Sequence, residues 1–186
     1  MKKVKPNNKW VRLVTAVAFV ISILLSIVTN TVVNDLYLAA AFIVLLAVIA
    51  SGIFFDVIGL AVATATEVPF HAKAAKRLIG ARESIYLIRN ADKVSSFCND
   101  VIGDIAGVIS GGLAASIVVK IQTSIPGAAG IWLNLLLTAS VSAVTIGGKA
   151  YFKTIAMNKS YSIVEKCGIV IYKISNLSRL KSNEKR

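Results

Sequence analysis

Residues 36–55 read LYLAAAFIVLLAVIASGIFF, a run without a single charge. A helix needs about 20 apolar residues to cross a hydrocarbon core of about 30 Å. Only helices and closed barrels satisfy their own backbone inside lipid. The run shows no period-2 alternation, so it reads as a membrane-crossing helix. The feature repeats along the chain: Leu13–Asn34, Ile105–Val119 and the 28 residues Ile121–Gly148 also carry no charge. Four spans are expected, at 12–34, 36–62, 96–119 and 126–147, in an all-α integral membrane protein.

The composition agrees. Of 186 residues 56% are hydrophobic and 16% charged, and the mean hydropathy is +0.73. A soluble domain usually carries about 25% charge, which argues against an ordinary soluble globule and excludes a disordered tail. The net charge is +12, from 21 Lys and Arg against 9 Asp and Glu. Such a balance can mark a nucleic-acid binder, but the cations are not spread at random. Lys2, Lys3, Lys5, Lys9 and Arg12 precede the first span. Lys73, Lys76, Arg77, Arg82, Arg89 and Lys93 lie between the second and third. Nine more follow the fourth, from Lys149 to Arg186, and only Lys120 stands between the third and fourth. The positive-inside rule then places both termini and the middle loop in the cytoplasm of a cell-membrane protein. Topology and anionic lipid account for the charge, and no nucleic-acid partner is expected. The basic start before Leu13 resembles a secretory signal, but the apolar stretch is long and no small-x-small cleavage site follows it, so a retained helix is expected.

The cytoplasmic loop has its own pattern. Pro69–Arg77 and Ala81–Arg89 read as short helices separated by Gly80, with Asn90 as a C-terminal cap and Asp92 as the N-cap of the third span. Together they form a helical hairpin under the membrane. Met157–Ile174 mixes apolar and charged residues in the manner of an interfacial, juxtamembrane helix. Cys98 and Cys167 fall at or near the cytoplasmic side, where a disulfide is not expected. His71 reads as a solvated surface histidine.

The chemistry is expected inside the membrane. Asp56, Asp100 and Asp104 stand among apolar residues, with Asn99 beside them, and intramembrane carboxylates are functional candidates by default. Asp100 and Asp104 are four apart and share a helical face. They fall roughly 6 and 12 Å into a span starting near Ser96, while Asp56 falls about 30 Å along the antiparallel span from Leu36. All three converge on the inner third of the membrane. No Lys or Arg lies within the spans to neutralise them, so a cation is the natural partner. Clustered oxygens suit a hard divalent cation such as Mg²⁺ or Ca²⁺, whereas Zn²⁺ or copper would favour His and Cys. The expected ligands are Asp56, Asn99, Asp100, Asp104 and oxygen donors at Gly103 or Gly59, the latter opening the second span locally. The bland alternative is that the carboxylates are wet, interfacial and structural. Gly103, Gly107 and Gly111 form a ladder that permits close helix approach, including a homodimer through that face.

Several local motifs carry a family resemblance. SGIFF at 51–55, GARESIYLIRNADK at 80–93, VIGD at 101–104 and FKTIA at 152–156 resemble, in order, motifs of the DUF21 transmembrane domain of the CNNM/CorC magnesium transporters. The resemblance covers about residues 40–176. It implies a DUF21-like domain with its juxtamembrane helix over 35–176, preceded by a basic N-terminus at 1–11 and an extra helix at 12–34 and followed by a polar tail at 177–186. It also implies Mg²⁺ handling. The departures are plain: Asp56-Val57-Ile58-Gly59 stands where the family has Ser-Gly-Ser-Glu, Asp104 stands where it has Asn, Ala91 stands where proline is usual, and no CBS pair follows. Two functions therefore compete, divalent-cation transport and a structural or regulatory membrane role on the same fold. An enzyme is not expected, because no Ser–His–Asp set, HExxH or P-loop is present.

Overall fold

The uncharged runs become long helices. The structure is a computed structural model that describes the backbone of residues 8–35, 37–124 and 130–183 and the side chains of 11–27, 37–123 and 130–176. The described residues are helical, without strands. In order they form α1 (Asn8–Asp35), α2 (Leu38–Thr64), α3 (Val68–Ala75), α4 (Ala81–Arg89), α5 (Ala91–Ser96), a π-helical segment (Phe97–Gly103), α6 (Asp104–Ser124), α7 (Gly130–Asn158) and α8 (Ser160–Asn183). Among the described residues, three stretches are long and apolar enough to cross a membrane: Leu38–Thr64, Ala91–Thr123 and Gly130–Asn158. Within α1 the described apolar part is the shorter Val11–Ile27. The expected span at 12–34 is thus helical, while three helices carry the membrane assignment. The basic residues Lys2, Lys3 and Lys5 and the side chains of the expected tail lie outside the described residues.

The chain divides into two units. The first holds the chain up to Phe54 together with Asp100–Gly148. Its core is a four-residue rhythm: Ala41, Leu45 and Ile49 of α2 meet Ile105, Ile109, Leu113 and Ile117, with Val101 just before α6 and Val141 of α7. Spacing of four keeps side chains on one helical face. Val14, Ala18 and Ile21 of α1 cover this seam, and α1 packs along α6. Gly52 brings α2 close: a Cβ there would lie 2.8 Å from the Ala106 Cβ. The rest of α7 turns large apolar side chains outward, among them Ile131, Trp132, Leu136 and Ile146. Water would penalise so wide an apolar face, whereas lipid accepts it.

The second unit holds Phe55–Asn99 and Lys149–Arg186. Ala61 and Val62 of α2, Phe70 of α3, Leu87 of α4 and Val164 of α8 form its core. The Phe70 and Tyr161 rings lie 4.9 Å apart, tilted by 31°. α4 packs on both α3 and α8, and the α4–α8 contact is made backbone to backbone. Gly80, at φ +80°, leaves room for Ile169, and Gly168 leaves room for Gly80 and Ser84. The fully buried Ser84 hydroxyl lies 2.9 Å from the Gly80 carbonyl and 3.2 Å from that of Val164, and can donate to either. α3 ends in a Schellman turn, with Leu78 N–H donating to Lys73 O at 3.1 Å and Arg77 N–H to Ala74 O at 3.0 Å.

Local expectations are refined. α4 spans Ala81–Arg89 as expected, while α3 starts at Val68 and stops at Ala75. Asn90 caps the C-terminus of α4, its amide donating to Tyr86 O at 2.9 Å. Asn90, and not Asp92, also holds the N-cap position of α5; Asp92 sits in the first turn. The C-terminal helix was expected over 157–174, but α7 runs to Asn158 and α8 continues to Asn183.

Candidate functional site

Asp56 lies on α2, just past the end of the long uncharged run. Its carboxylate is not free of basic partners: Lys149 of α7 approaches Oδ2 at 2.7 Å, with the Asp56 side chain 19% and the Lys149 side chain 32% exposed. This corrects the expectation of carboxylates without a neutralising cation. The reason was legible in outline. Asp56 is the first charge after the run 36–55, and Lys149 is the first after the run 121–148. Charges that close two neutral runs sit at the same kind of boundary, and here they meet.

Asn99 belongs to the same unit and lies in the π-helical segment, which no sequence signal announced. A π-bulge inserts an extra residue per turn and is frequent at functional sites. The Asn99 side-chain oxygen is buried and has no hydrogen-bond partner among the described residues. It lies directly against Gly59, where a Cβ would overlap it, pass 2.9 Å from the Asn99 Cγ and pass 3.0 Å from the Cys98 Cβ. Gly59 therefore makes a notch for Asn99. It does not open α2, which is helical without interruption from Leu38 to Thr64. Cys98 lies within electrostatic reach of Asp56 and Cys167. Both cysteines are free thiols, and burial pushes the Cys167 thiol up from its ordinary value.

Asp100, Gly103 and Asp104 belong to the other unit. Asp100 and Asp104 are exposed and Gly103 is buried. Neither unit by itself groups three His, Cys, Asp or Glu side chains as a metal centre would, among the described residues. The glycine ladder is also corrected. Nothing lies within 4 Å of a Cβ built at Gly107 or Gly111, so those two positions do not form the packing seam inside the chain. The seam uses Ile105, Ile109 and Leu113 instead, which are offset from the glycines by two residues, about 200° around a 3.6-residue helix, and so lie on the opposite face.

The polar contacts of the second unit form a separate group. Glu67 accepts from Arg89 Nε at 3.1 Å and pairs with His71 Nε2 at 3.1 Å. The Arg89 hydrogen bond, then that of His71, holds the Glu67 carboxyl below its usual range. Lys73 pairs with Glu165 and stands 4.9 Å from the Tyr161 ring centroid. The Glu165 hydrogen bond, followed by that of Tyr161, raises Lys73 above its ordinary value. No family model, curated protein or solved structure gives a significant match to this chain.

Proposed function

We propose that the chain is an integral membrane protein of four helices, N-in and C-in in the cell membrane, that carries a hard divalent cation, Mg²⁺ above all, past Asp56 and Asn99. The observation that carries the reading is the buried side-chain oxygen of Asn99 without a donor. A buried acceptor left unpaired is costly, and a hard cation, which takes oxygen ligands, would satisfy it. Asp56, in the same unit, would supply the negative charge. The resemblance of about residues 40–176 to the DUF21 domain supports the choice of Mg²⁺. In this reading Lys149 is the resident counter-charge, and the ion competes with its ammonium for the carboxylate. Asp100 and Asp104 are exposed carboxylates of the other unit.

A second reading is favoured by a specific observation. The 2.7 Å Asp56–Lys149 pair already neutralises the carboxylate, as a structural or regulatory membrane protein with a DUF21-like fold would require. Calorimetry with MgCl₂ on the purified full chain in detergent separates the two. Transport predicts binding by the wild type, tighter binding by Lys149→Met, and a loss of tenfold or more, about 1.4 kcal/mol, in Asp56→Asn and Asn99→Ala. Asp104→Asn reports whether that carboxylate shares the ion. Absence of Mg²⁺ and Ca²⁺ binding by both the wild type and Lys149→Met would leave the non-transporting reading.

A further inference from the structure

A hollow of about 580 Å³ opens between the end of α3, the start of α4 and Tyr172 of α8. Its volume falls in the range of small-molecule sites, about 300–1,000 Å³. Arg77 and Arg82 line it, against one carboxylate, Glu83. Among the described residues neither arginine makes an ion pair, in contrast to Arg89, which is taken by Glu67. Two unpaired guanidiniums beside a phenol suit a phosphate, since the planar fork of Arg matches phosphate oxygens.

The position of Arg77 adds a second, independent argument. It occupies the left-handed site of the Schellman turn, at φ 55°, the only non-glycine residue with positive φ among those described. Glycine is the usual residue there, because a Cβ crowds the backbone in that conformation. Arginine lacks even the local side-chain hydrogen bond that makes asparagine tolerable. The fold would be better served by glycine, so the guanidinium is what this position gains.

The rim identifies the source of the phosphate. Leu78 and Ile79 line the same hollow and are 50% and 59% exposed. The segment that carries them joins two candidate membrane-crossing helices, α2 and the helix from Ala91, so it is tethered to the bilayer surface at both ends. Exposed aliphatic side chains next to two arginines free of ion pairs fit a headgroup whose acyl chains continue alongside. We propose that this hollow binds the phosphate of an anionic lipid headgroup, through Arg77, Arg82 and Tyr172. The inference is independent of the cation reading.

The test uses the purified full chain in detergent micelles doped with phosphatidylglycerol or phosphatidylcholine, with retained lipid read by native mass spectrometry and stability read by thermal melting. The wild type should retain phosphatidylglycerol over phosphatidylcholine and melt higher with it. Arg82→Gln and Arg77→Gly should each lower retention tenfold or more, while Lys153→Gln, an exposed cation elsewhere in the unit, should not. Arg77→Gly carries the sharper signature. In undoped detergent it should melt above the wild type, because the left-handed strain is gone, yet it should lose the lipid-dependent rise. Equal retention of both lipids, or full retention by Arg77→Gly, would overturn the proposal. So would inorganic phosphate raising the melting point as far as phosphatidylglycerol does, which would make the occupant a free anion.

Discussion

Gly168→Ala should break the α4–α8 contact, although alanine is the better helix former. A Cβ at position 168 would lie 2.5 Å from the Gly80 carbonyl oxygen and 3.0 Å from the Ser84 backbone nitrogen, and would overlap the Ser84 hydroxyl. Two of these atoms belong to backbone, so no rotamer change relieves them. Restoring ordinary contact requires the two helices to part by roughly 1 Å, and overpacking of this kind costs about 1–3 kcal/mol. The separation also stretches the 3.2 Å contact from Ser84 Oγ to Val164 O, where a hydrogen bond is worth about 1 kcal/mol. Against this, Gly→Ala within a helix gains about 1 kcal/mol. The steric term wins, and a net loss of about 2 kcal/mol is expected. Gly112→Ala is the control: nothing lies within 4 Å of its Cβ, so only the propensity gain remains. Reversible unfolding in mixed detergent micelles measures both. Gly168→Ala should unfold earlier than the wild type and Gly112→Ala at the same point or later. A Gly168→Ala protein as stable as Gly112→Ala would refute the backbone-to-backbone packing of α4 on α8.

Two further outcomes follow from the geometry. Gly107→Leu should leave the fold of the single chain intact, because the position opens on free space. Size-exclusion chromatography with light scattering then has a clear reading: if the wild type is a dimer and Gly107→Leu a folded monomer, the open glycines are the face between copies, whereas an unfolded variant contradicts the packing described above. The second outcome is a titration. Glu67 is held below the usual carboxylate range by Arg89 first and His71 second. Its depressed folded value means that the stabilising contribution is present above the ordinary carboxylate range and is lost as pH falls through the folded value. In ¹³C-glutamate NMR its midpoint should lie below the ordinary range and return toward it in Arg89→Leu. An ordinary midpoint in the wild type would show that the contact does not persist in solution.

Helix identity was legible from the sequence because it depends on local composition. Uncharged runs of membrane-spanning length leave the backbone no option but a helix in lipid, and α2 and α7 appear where those runs lie. The short α4 was also legible, from Gly80 before it and Asn90 after it, since caps act over a few residues. The candidate site was legible only in part. Asp56 and Asn99 stand out by chemistry, as polar groups among apolar ones. That Lys149 meets Asp56 was hinted at only by their shared place at the ends of neutral runs; no period or spacing joins the two, and the contact itself is made in the folded chain. The glycine ladder misled for the same reason: spacing says which residues share a face, but packing decides which face is covered, and Ile105, Ile109 and Leu113 took the seam. Gly59 read as a local break in the second span, and nothing in the sequence singled out Gly168. Their purpose is set by the atom opposite, the Asn99 oxygen in one case and the Gly80 carbonyl in the other. A side chain's own chemistry is written in the chain, while the identity of its neighbour is decided by tertiary structure.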